Sequence, residues 1–349
     1  MSYVRDIEKV YQPDNPVSRA SISRQRANII RSYEPGNERV AILIPCYNEE
    51  KTIGKVVSDF SKAMPEAIIY VYDNASDDAT SLEAAKAGAV VRYEPRKGKG
   101  NVVRSMFKEI DADYYILVDG DDTYPAEYAP NILLPVVAGE ADMVVGDRLS
   151  NGSYAKENKR RFHGFGNSLV CFMIKHVYGF KYNDVMTGYR AFSKAFVKTA
   201  PVLSDGFQVE TELSIHAIDK NLKIVNIPIE YRDRPEGSFS KLSTVRDGIN
   251  VIKTIISLYK EYKPMKFFGV LGSIFCLISL FLIALITQQY FNTGIVEKFP
   301  TLIVGVSIGI AGVVSFVCGI ILDNIAKGNR RQWEIDTAKW FEKKDAEDL

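Results

Sequence analysis

Three observations predict an α/β domain followed by a pair of membrane-spanning helices. Short apolar runs of strand length alternate with helix-period segments from Arg39 onward. Conspicuous polar residues stand directly after those runs, where open α/β sheets keep their ligand crevice. No charged residue occurs from Phe267 to Val296 or from Phe299 to Leu322, and each stretch can cross a bilayer at about 20 residues per span. The overall composition, 46% hydrophobic and 25% charged over 349 residues, is ordinary for a globular chain, so the uneven distribution is what marks a membrane protein.

Residues 1–38 are polar, with Arg24, Arg26 and Arg31 among them, and read as an N-terminal arm. The first forty residues lack the apolar core of a signal peptide, so no leader is expected. Residues 39–243 are the expected α/β domain. "VAILIPCY" is a continuous apolar run of the kind that forms a strand buried on both faces, and "NEEKTIGKVVSDFSKAM" then places Ile53, Val56, Val57 and Phe60 on one helical side. "AIIYVYDN" and "SDDATSLEAAKAG" repeat the pair, "AVVRYE" and "GNVVRSMFKEI" repeat it again, and "YYILVDGDDTYP" supplies a fourth strand. Regular alternation of this kind predicts a parallel sheet with helices on both faces.

Residues 244–265 change pattern. Val245, Ile249, Ile252, Ile256 and Tyr259 line one helical side, while Arg246, Lys253 and Lys260 fall beyond its edge, as suits a helix lying in a membrane interface. A helix docked on the soluble domain is the competing reading. Two spans within 266–323, joined by a turn near "QQYFNTGIVEKFP", and a tail at 324–349 complete the chain. Lys260, Lys263 and Lys266 precede the first span and Lys327, Arg330 and Arg331 follow the second, whereas the connecting loop offers only Lys298 against Glu297. The positive-inside rule then puts the α/β domain and both termini in the cytoplasm, under the plasma membrane. The net charge of +1 hides these local basic clusters, and no nucleic-acid partner is expected. Gly305, Gly309 and Gly312 permit close helix packing and leave a homo-oligomer open.

Neither cysteines nor histidines suggest a site. Cys46, Cys171, Cys276 and Cys318 form no paired motif, and His163, His176 and His216 are isolated, so packing or surface roles are expected for them. The carboxylates are different. Asp119 and Asp121 would project on the same side at the end of a strand, where they repel each other unless a cation lies between them. Mg²⁺ or Mn²⁺ takes such oxygens and shares its other positions with water and phosphate, which makes the pair a diphosphate clamp. Tyr47, Asn48 and Glu49 follow the first strand, Asp73 and Asn74 the second, and "RKGKGN" places Gly98, Lys99 and Gly100 before a helix start suited to phosphate. Asp and Asn also begin turns, which covers any one of these positions but poorly covers all of them together.

In this order "VAILIPCYNEEKTIG", "VYDNASDDAT", "RKGKGN" and "VDGDDTYP" resemble the donor half of family 2 glycosyltransferases, which have the GT-A fold, a Rossmann-like nucleotide-sugar-binding domain. "DMVVGDR", "DVMTGYRAFSK" and "IEYRDRPEGSFSKL", followed by a membrane hairpin, are similar to the polyprenyl-phosphate branch. That branch holds dolichol-phosphate mannose synthases and bacterial enzymes that load glucose or N-acetylglucosamine onto undecaprenyl phosphate. The resemblance implies that Pro45, Tyr47, Glu49 and Asp73 hold the nucleoside, and that Asp119 and Asp121 bind the metal and the donor diphosphate, with Lys99 on the donor side. It implies that Arg148, Arg161 or a neighbour in "KRRFHGFGNS", and Ser168 grip the acceptor phosphate, and that Arg234, Ser240 and Lys241 close over the phosphates. Asp184 and Arg190 would lie near the transferred sugar, Asp184 as a base or as an anchor. Related members often carry Gln where this chain has Thr123, which departs from the pattern at that position.

The implied activity is inverting transfer of a hexose from a nucleoside diphosphate sugar to polyprenyl phosphate, with UDP-glucose or UDP-N-acetylglucosamine favoured and GDP-mannose next. A downstream flippase and a further glycosyltransferase would use the product in cell-envelope glycan modification. Two alternatives stand beside it: transfer to a glycan or glycolipid hydroxyl, which would need a clear general base, and a non-catalytic nucleotide-sugar-binding protein. The Q-x-x-R-W motif of processive synthases is absent; the nearest segment is "DGFQVETEL".

Overall fold

The computed structural model describes residues 39–150, 171–234 and 253–347, apart from 173, 177, 178, 181–183, 254, 255 and 258. The central sheet holds seven strands: β1 (Val40–Cys46), β2 (Ile68–Asp73), β3 (Val90–Tyr93), β4 (Tyr114–Leu117), β5 (Met143–Asp147), β6 (Arg190–Ser193) and β7 (Ile224–Pro228). Their order is β3-β2-β1-β4-β6-β5-β7. Helices α1 (Ile53–Ala63), α2 (Thr80–Lys86), α3 (Lys99–Glu109) and α4 (Ala129–Val137) follow the first four strands, α5 (Lys194–Thr199) and α6 (Val209–Asp219) follow β6, and α7 (Pro264–Thr293) and α8 (Phe299–Glu347) end the chain.

Strand β1 is central because it can be buried on both faces. Ala41 and Leu43 enter one core cluster with Val102, Met106 and Phe192, whereas Ile42, Ile44 and Cys46 enter the other with Val57, Phe60 and Val71. Full burial of each such aliphatic side chain contributes about 1.5–3 kcal/mol, which fixes the register of the strand against both neighbours. Leu43 lies beside Tyr70 on one side and Leu117 on the other, with all three strands parallel.

The sheet is mixed, not wholly parallel. Strand β6 runs antiparallel between β4 and β5, pairing Leu117 and Val145 with Arg190. The chain leaves β5 at the edge where the polar residues gather and enters β6 from that same edge, so β6 must run back down the sheet. The four-residue "RAFS" and the five-residue "IVNIP" of β7 complete it.

Helices α7 and α8 are long and apolar enough to cross a membrane. Many of their large apolar side chains, Leu277, Phe281, Ile310 and Val313 among them, are exposed. They pack on each other through small residues: a Cβ on Gly312 would stand 2.7 Å from Cys276 Sγ, one on Gly309 2.6 Å from Ser279 Oγ, and Ser279 donates to the Gly305 carbonyl at 2.7 Å. Left-handed Gly294 ends α7.

The expected tail from residue 324 is helical, a continuation of α8 that runs unbroken to Glu347. No proline follows Pro300, and the pairs Lys327–Asp323 and Gln332–Asp336, each four residues apart, support the polar half. The expected N-terminal arm lies outside the described residues, as does most of the amphipathic segment. The described parts of the latter, 253, 256, 257 and 259–262, are helical.

Candidate active site

The ends of β1, β2 and β4 converge on a cavity of about 310 Å³ lined by Pro45, Tyr47, Glu49, Asn74, Lys97, Gly98, Lys99, Asp119, Gly120, Asp121, Phe207 and Arg234. Both expected metal aspartates line it. Gly120 between them lets the turn lie on β1, since a Cβ there would stand 2.6 Å from Cys46 Sγ. Gly188 does the same for Asp119, whose carboxylate would meet a Cβ at 2.5 Å. Asp122, the third aspartate of the cluster, does not join them. It takes a positive φ of 59° and pairs with Lys55 on α1 at 2.7 Å.

Charge is balanced within the cavity. Lys99, at the start of α3, bridges Asp119 and Glu210. Burial alone would lower its pKa, but the two carboxylates outweigh it and hold the ammonium above its ordinary value. Arg234 pairs with Asp121. Burial first, and the Asp119 charge second, push the Asp121 carboxyl above the usual range against the opposing pull of Arg234. Thr123 donates its hydroxyl to Asp121 Oδ1 at 2.6 Å and so orients that carboxylate.

The phosphate-type loop is held by its neighbours. Asn74 donates to the carbonyls of Glu94 and Arg96 at 3.0 and 2.7 Å and accepts from Gly98 N at 2.6 Å. Gly100 N donates to the Asp205 carbonyl at 3.0 Å. Neither glycine leaves room for a side chain, since a Cβ on Gly98 would stand 2.1 Å from Asp205 O and one on Gly100 1.9 Å from Ser204 O. The 203–205 segment is itself tied to α6, where Glu212 accepts from Leu203 N at 2.9 Å and Ser204 N at 3.0 Å.

A second charged group lies across Tyr124 and Gly188 from Asp119. Arg148 donates from Nε and from a terminal nitrogen to the two oxygens of Asp184, at 2.6 and 3.0 Å, and Asp184 is fully buried. Arg148 also donates to Tyr124 Oη at 3.3 Å, and that oxygen accepts from Gly188 N at 3.0 Å. The Arg148 guanidinium stands 5.5 Å from the centre of the Tyr231 ring. The pair is thus bidentate and desolvated, and it stands behind Tyr124 and Gly188, outside the residues that line the cavity.

The expected site residues separate accordingly. Pro45, Tyr47, Glu49, Lys99, Asp119, Asp121 and Arg234 are together in the cavity. Asp73 sits next to it, buried and accepting from Ser76 N at 2.9 Å and from Ser81 Oγ. Arg190 differs from expectation. It is fully buried beneath the site and donates to the carbonyls of Val185 and Thr187 and to Ser214 Oγ, so it braces the "DVMTGYR" turn against α6 and does not face the cavity. Arg161, Ser168, Ser240 and Lys241 lie outside the described residues. Three residues were not foreseen: Lys97, whose ammonium lies 5.2 Å over the Tyr47 ring, Phe207 and Glu210. Lys97 left a signal as part of the basic "RKGKGN" loop, and Glu210 as an acid inside "DGFQVETEL".

Paired carboxylates, a glycine-bounded cationic loop and the Arg234 guanidinium can hold a diphosphate and neutralise its charge. Comparison with known proteins agrees. The family described as Glycosyl transferase family 2 matches residues 41–199. Glycosyltransferase AglJ of Haloferax volcanii is 34% identical over 68% of this chain and 78% of its own length. A dolichyl-phosphate hexose transferase of the same organism is 29% identical over 64% of this chain and 94% of its own. In fold, the chain resembles Mycobacterium tuberculosis glucosyl-3-phosphoglycerate synthase, solved with Mn²⁺, UDP-glucose and phosphoglyceric acid. Identity there is 20% and TM-score 0.51, over 64% of this chain and 79% of that one. The β1-to-β4 nucleotide half, the Asp119–Asp121 pair and these relatives together identify the chain as a glycosyltransferase of family 2.

Proposed function

We propose that the protein is a membrane-anchored, inverting hexosyltransferase that moves a sugar from a nucleoside diphosphate to a polyprenyl phosphate. The observation that carries this reading is the direct attachment of a diphosphate-type cavity to two apolar helices of membrane length, which calls for a lipid substrate. The name of the dolichyl-phosphate hexose transferase among the relatives supports the same acceptor class. UDP-glucose or UDP-N-acetylglucosamine is the favoured donor and GDP-mannose the next. The basic residues flanking both apolar helices favour a cytoplasmic α/β domain.

Asp119 and Asp121 present hard oxygen donors on one side of the cavity, which fits a divalent ion that takes its remaining ligands from water and phosphate. Among the described residues no cluster of three or more His, Cys, Asp or Glu side chains surrounds such a position, so Asp119 and Asp121 are the carboxylates these residues would supply. Mg²⁺ or Mn²⁺ held there supplies neutralisation of the charge that collects on the departing diphosphate. The nucleoside lies against Pro45, Tyr47 and Glu49, with Asp73 behind them, and Lys99 and Arg234 serve the phosphates.

Arg148 presents the acceptor phosphate. Its fork is already oriented by Asp184, so that carboxylate positions the arginine and is not available as a base. None is needed, since a phosphate monoester is anionic near neutral pH. One phosphate oxygen attacks the anomeric carbon, the bond to the nucleoside diphosphate breaks, and inversion turns an α-linked donor into a β-linked sugar phosphate. Titration calorimetry with UDP or GDP and Mn²⁺ tests the donor half. Wild type is expected to bind one of them in a metal-dependent manner, and Asp121→Asn to lose that dependence. Metal-dependent binding retained by Asp121→Asn would remove the clamp from the reading.

A further inference from the structure

The polar half of α8 carries a regular contact face that the reaction as described does not use. From residue 321 to residue 342 only Asp323, Ala326, Arg330, Trp333, Thr337 and Trp340 are less than exposed. Their spacing alternates between three and four, so they form one stripe along the helix. The stripe is keyed to the catalytic domain. Arg330 pairs with Asp219, at the end of α6, whose side chain is 2% exposed. Trp333 donates its indole N–H at 3.2 Å to the carbonyl of Thr199, the last residue of α5. Its ring meets His216 edge-on at 5.9 Å, and the Lys220 ammonium lies 5.5 Å from its centre.

The other passage of chain between the domain and the apolar helices reaches the same corner. Tyr262, two residues before α7, packs against the core cluster that holds Phe196 and Leu213, and its carbonyl accepts from Arg330 at 3.4 Å. A domain hung from the Tyr262–Pro264 segment alone would swivel about it. A rigid helix returning from the hairpin and gripping Asp219 and Thr199 removes that freedom. Trp333 lies eleven residues past Leu322, which puts the grip about 16 Å along the axis from the end of the apolar stretch.

We propose that the polar half of α8 is a second mount that fixes the orientation and height of the catalytic domain over the bilayer, so that a phosphate confined to the membrane surface meets the site. Arg330 and Trp333 are its positioning residues. The inference rests on the polyprenyl-phosphate reading above, because only an acceptor held in the membrane demands a fixed orientation. Misplacement of reacting groups by about 1 Å lowers rates by about a hundredfold, so loss of the mount bears heavily on the lipid acceptor. A small acceptor that diffuses to the site from solution is indifferent to it.

The test uses full-length protein in phospholipid vesicles, with Arg330→Gln, Trp333→Ala and their combination. Donor is whichever labelled UDP- or GDP-sugar wild type uses. Acceptors are undecaprenyl phosphate in the vesicle and geranyl phosphate in solution. The expected result is a fall of about tenfold or more in kcat/KM for undecaprenyl phosphate, with that for geranyl phosphate and the Kd for UDP or GDP within about twofold of wild type. Arg330→Asp combined with Asp219→Arg is expected to recover lipid transfer. Thermal unfolding of each variant identifies any that fail to fold, in which case Arg330→Lys, which keeps the charge, is read against Arg330→Gln. Unchanged transfer to both acceptors, or equal loss on both, overturns the mount. Wild type that glycosylates neither prenyl phosphate would overturn the acceptor reading, and the mount with it.

Discussion

Gly100→Ala tests how the donor loop is held. The new Cβ would stand 1.9 Å from the Ser204 carbonyl oxygen and 2.9 Å from the Asp205 carbonyl carbon, whereas real Cβ contacts essentially never fall below 3.0 Å. Both obstacles are backbone, so no side chain can swing aside, and the loop and the 203–205 segment must part by about 1 Å. Parting weakens the Gly100 N–H bond to Asp205 O and draws Lys99 away from Asp119 and Glu210. If Lys99 positions the leaving diphosphate as proposed, a shift of that size lowers kcat/KM about a hundredfold, equivalent to about 2.7 kcal/mol. Steady-state kinetics with varied donor is the assay, and the loss should appear at limiting donor with little change in the KM for acceptor. Gly54→Ala is the control, because its Cβ finds nothing nearer than 3.9 Å. A Gly100→Ala enzyme with wild-type donor kinetics would refute the role given to this loop.

Further outcomes follow from the same geometry. Arg148→Ala is expected to raise the KM for acceptor more than that for donor, and to lower stability by about 3–5 kcal/mol, because it leaves buried Asp184 without its partner; kinetics together with chemical denaturation reads both. Asp184→Asn should slow the reaction without removing a limb of the pH–rate profile, whereas loss of the acid limb would identify Asp184 as a base. Burial first, and Lys220 second, lower the His216 pKa to about 4, so the unfolded chain binds the extra proton more readily. That contribution to stability is complete above about pH 6.5 and is lost as pH falls towards 4, by about 3 kcal/mol; His216→Phe should flatten this part of the unfolding curve, and an unchanged slope would contradict the assignment. Gly312→Leu should loosen the hairpin by about 1–3 kcal/mol, measured as a lower unfolding temperature in detergent, because its Cβ already meets Cys276 Sγ at 2.7 Å.

Strands β1, β2 and β4 were legible because burial on both faces writes a continuous apolar run, and their ends showed where polar groups would gather. Strand β6 was not. Its four residues begin with Arg190, which reads as a surface or ligand-binding cation until the structure surrounds it with carbonyls and Ser214. Helix α6 was hidden for a related reason: Glu210, Thr211, Glu212, Ser214 and His216 are all buried, so it has no amphipathic signal, although Glu210 belongs to the site.

Strand spacing put Asp119 and Asp121 on one side, and both line the cavity from the turn that follows Leu117, the end of β4. It could not show that Lys99 and Arg234 would face those two carboxylates, since those partners come from distant segments. The helical state of the tail was not legible, because a change from apolar to charged residues at Asp323 marks the end of a span and says nothing of the end of a helix. The stripe from Asp323 to Trp340 was present in the sequence, but its meaning depends on Asp219 and Thr199, which the fold brings to it.

The most direct measurement of the central claim is transfer of labelled sugar from a panel of UDP- and GDP-sugars to undecaprenyl or dolichyl phosphate, with Mg²⁺ or Mn²⁺, followed by partition into organic solvent. Label from one donor is predicted to enter the lipid phase, in a product that releases it under mild acid as a sugar phosphate does. Label that stays in the aqueous phase with every donor, or that enters a glycan in the absence of any lipid phosphate, would contradict the account.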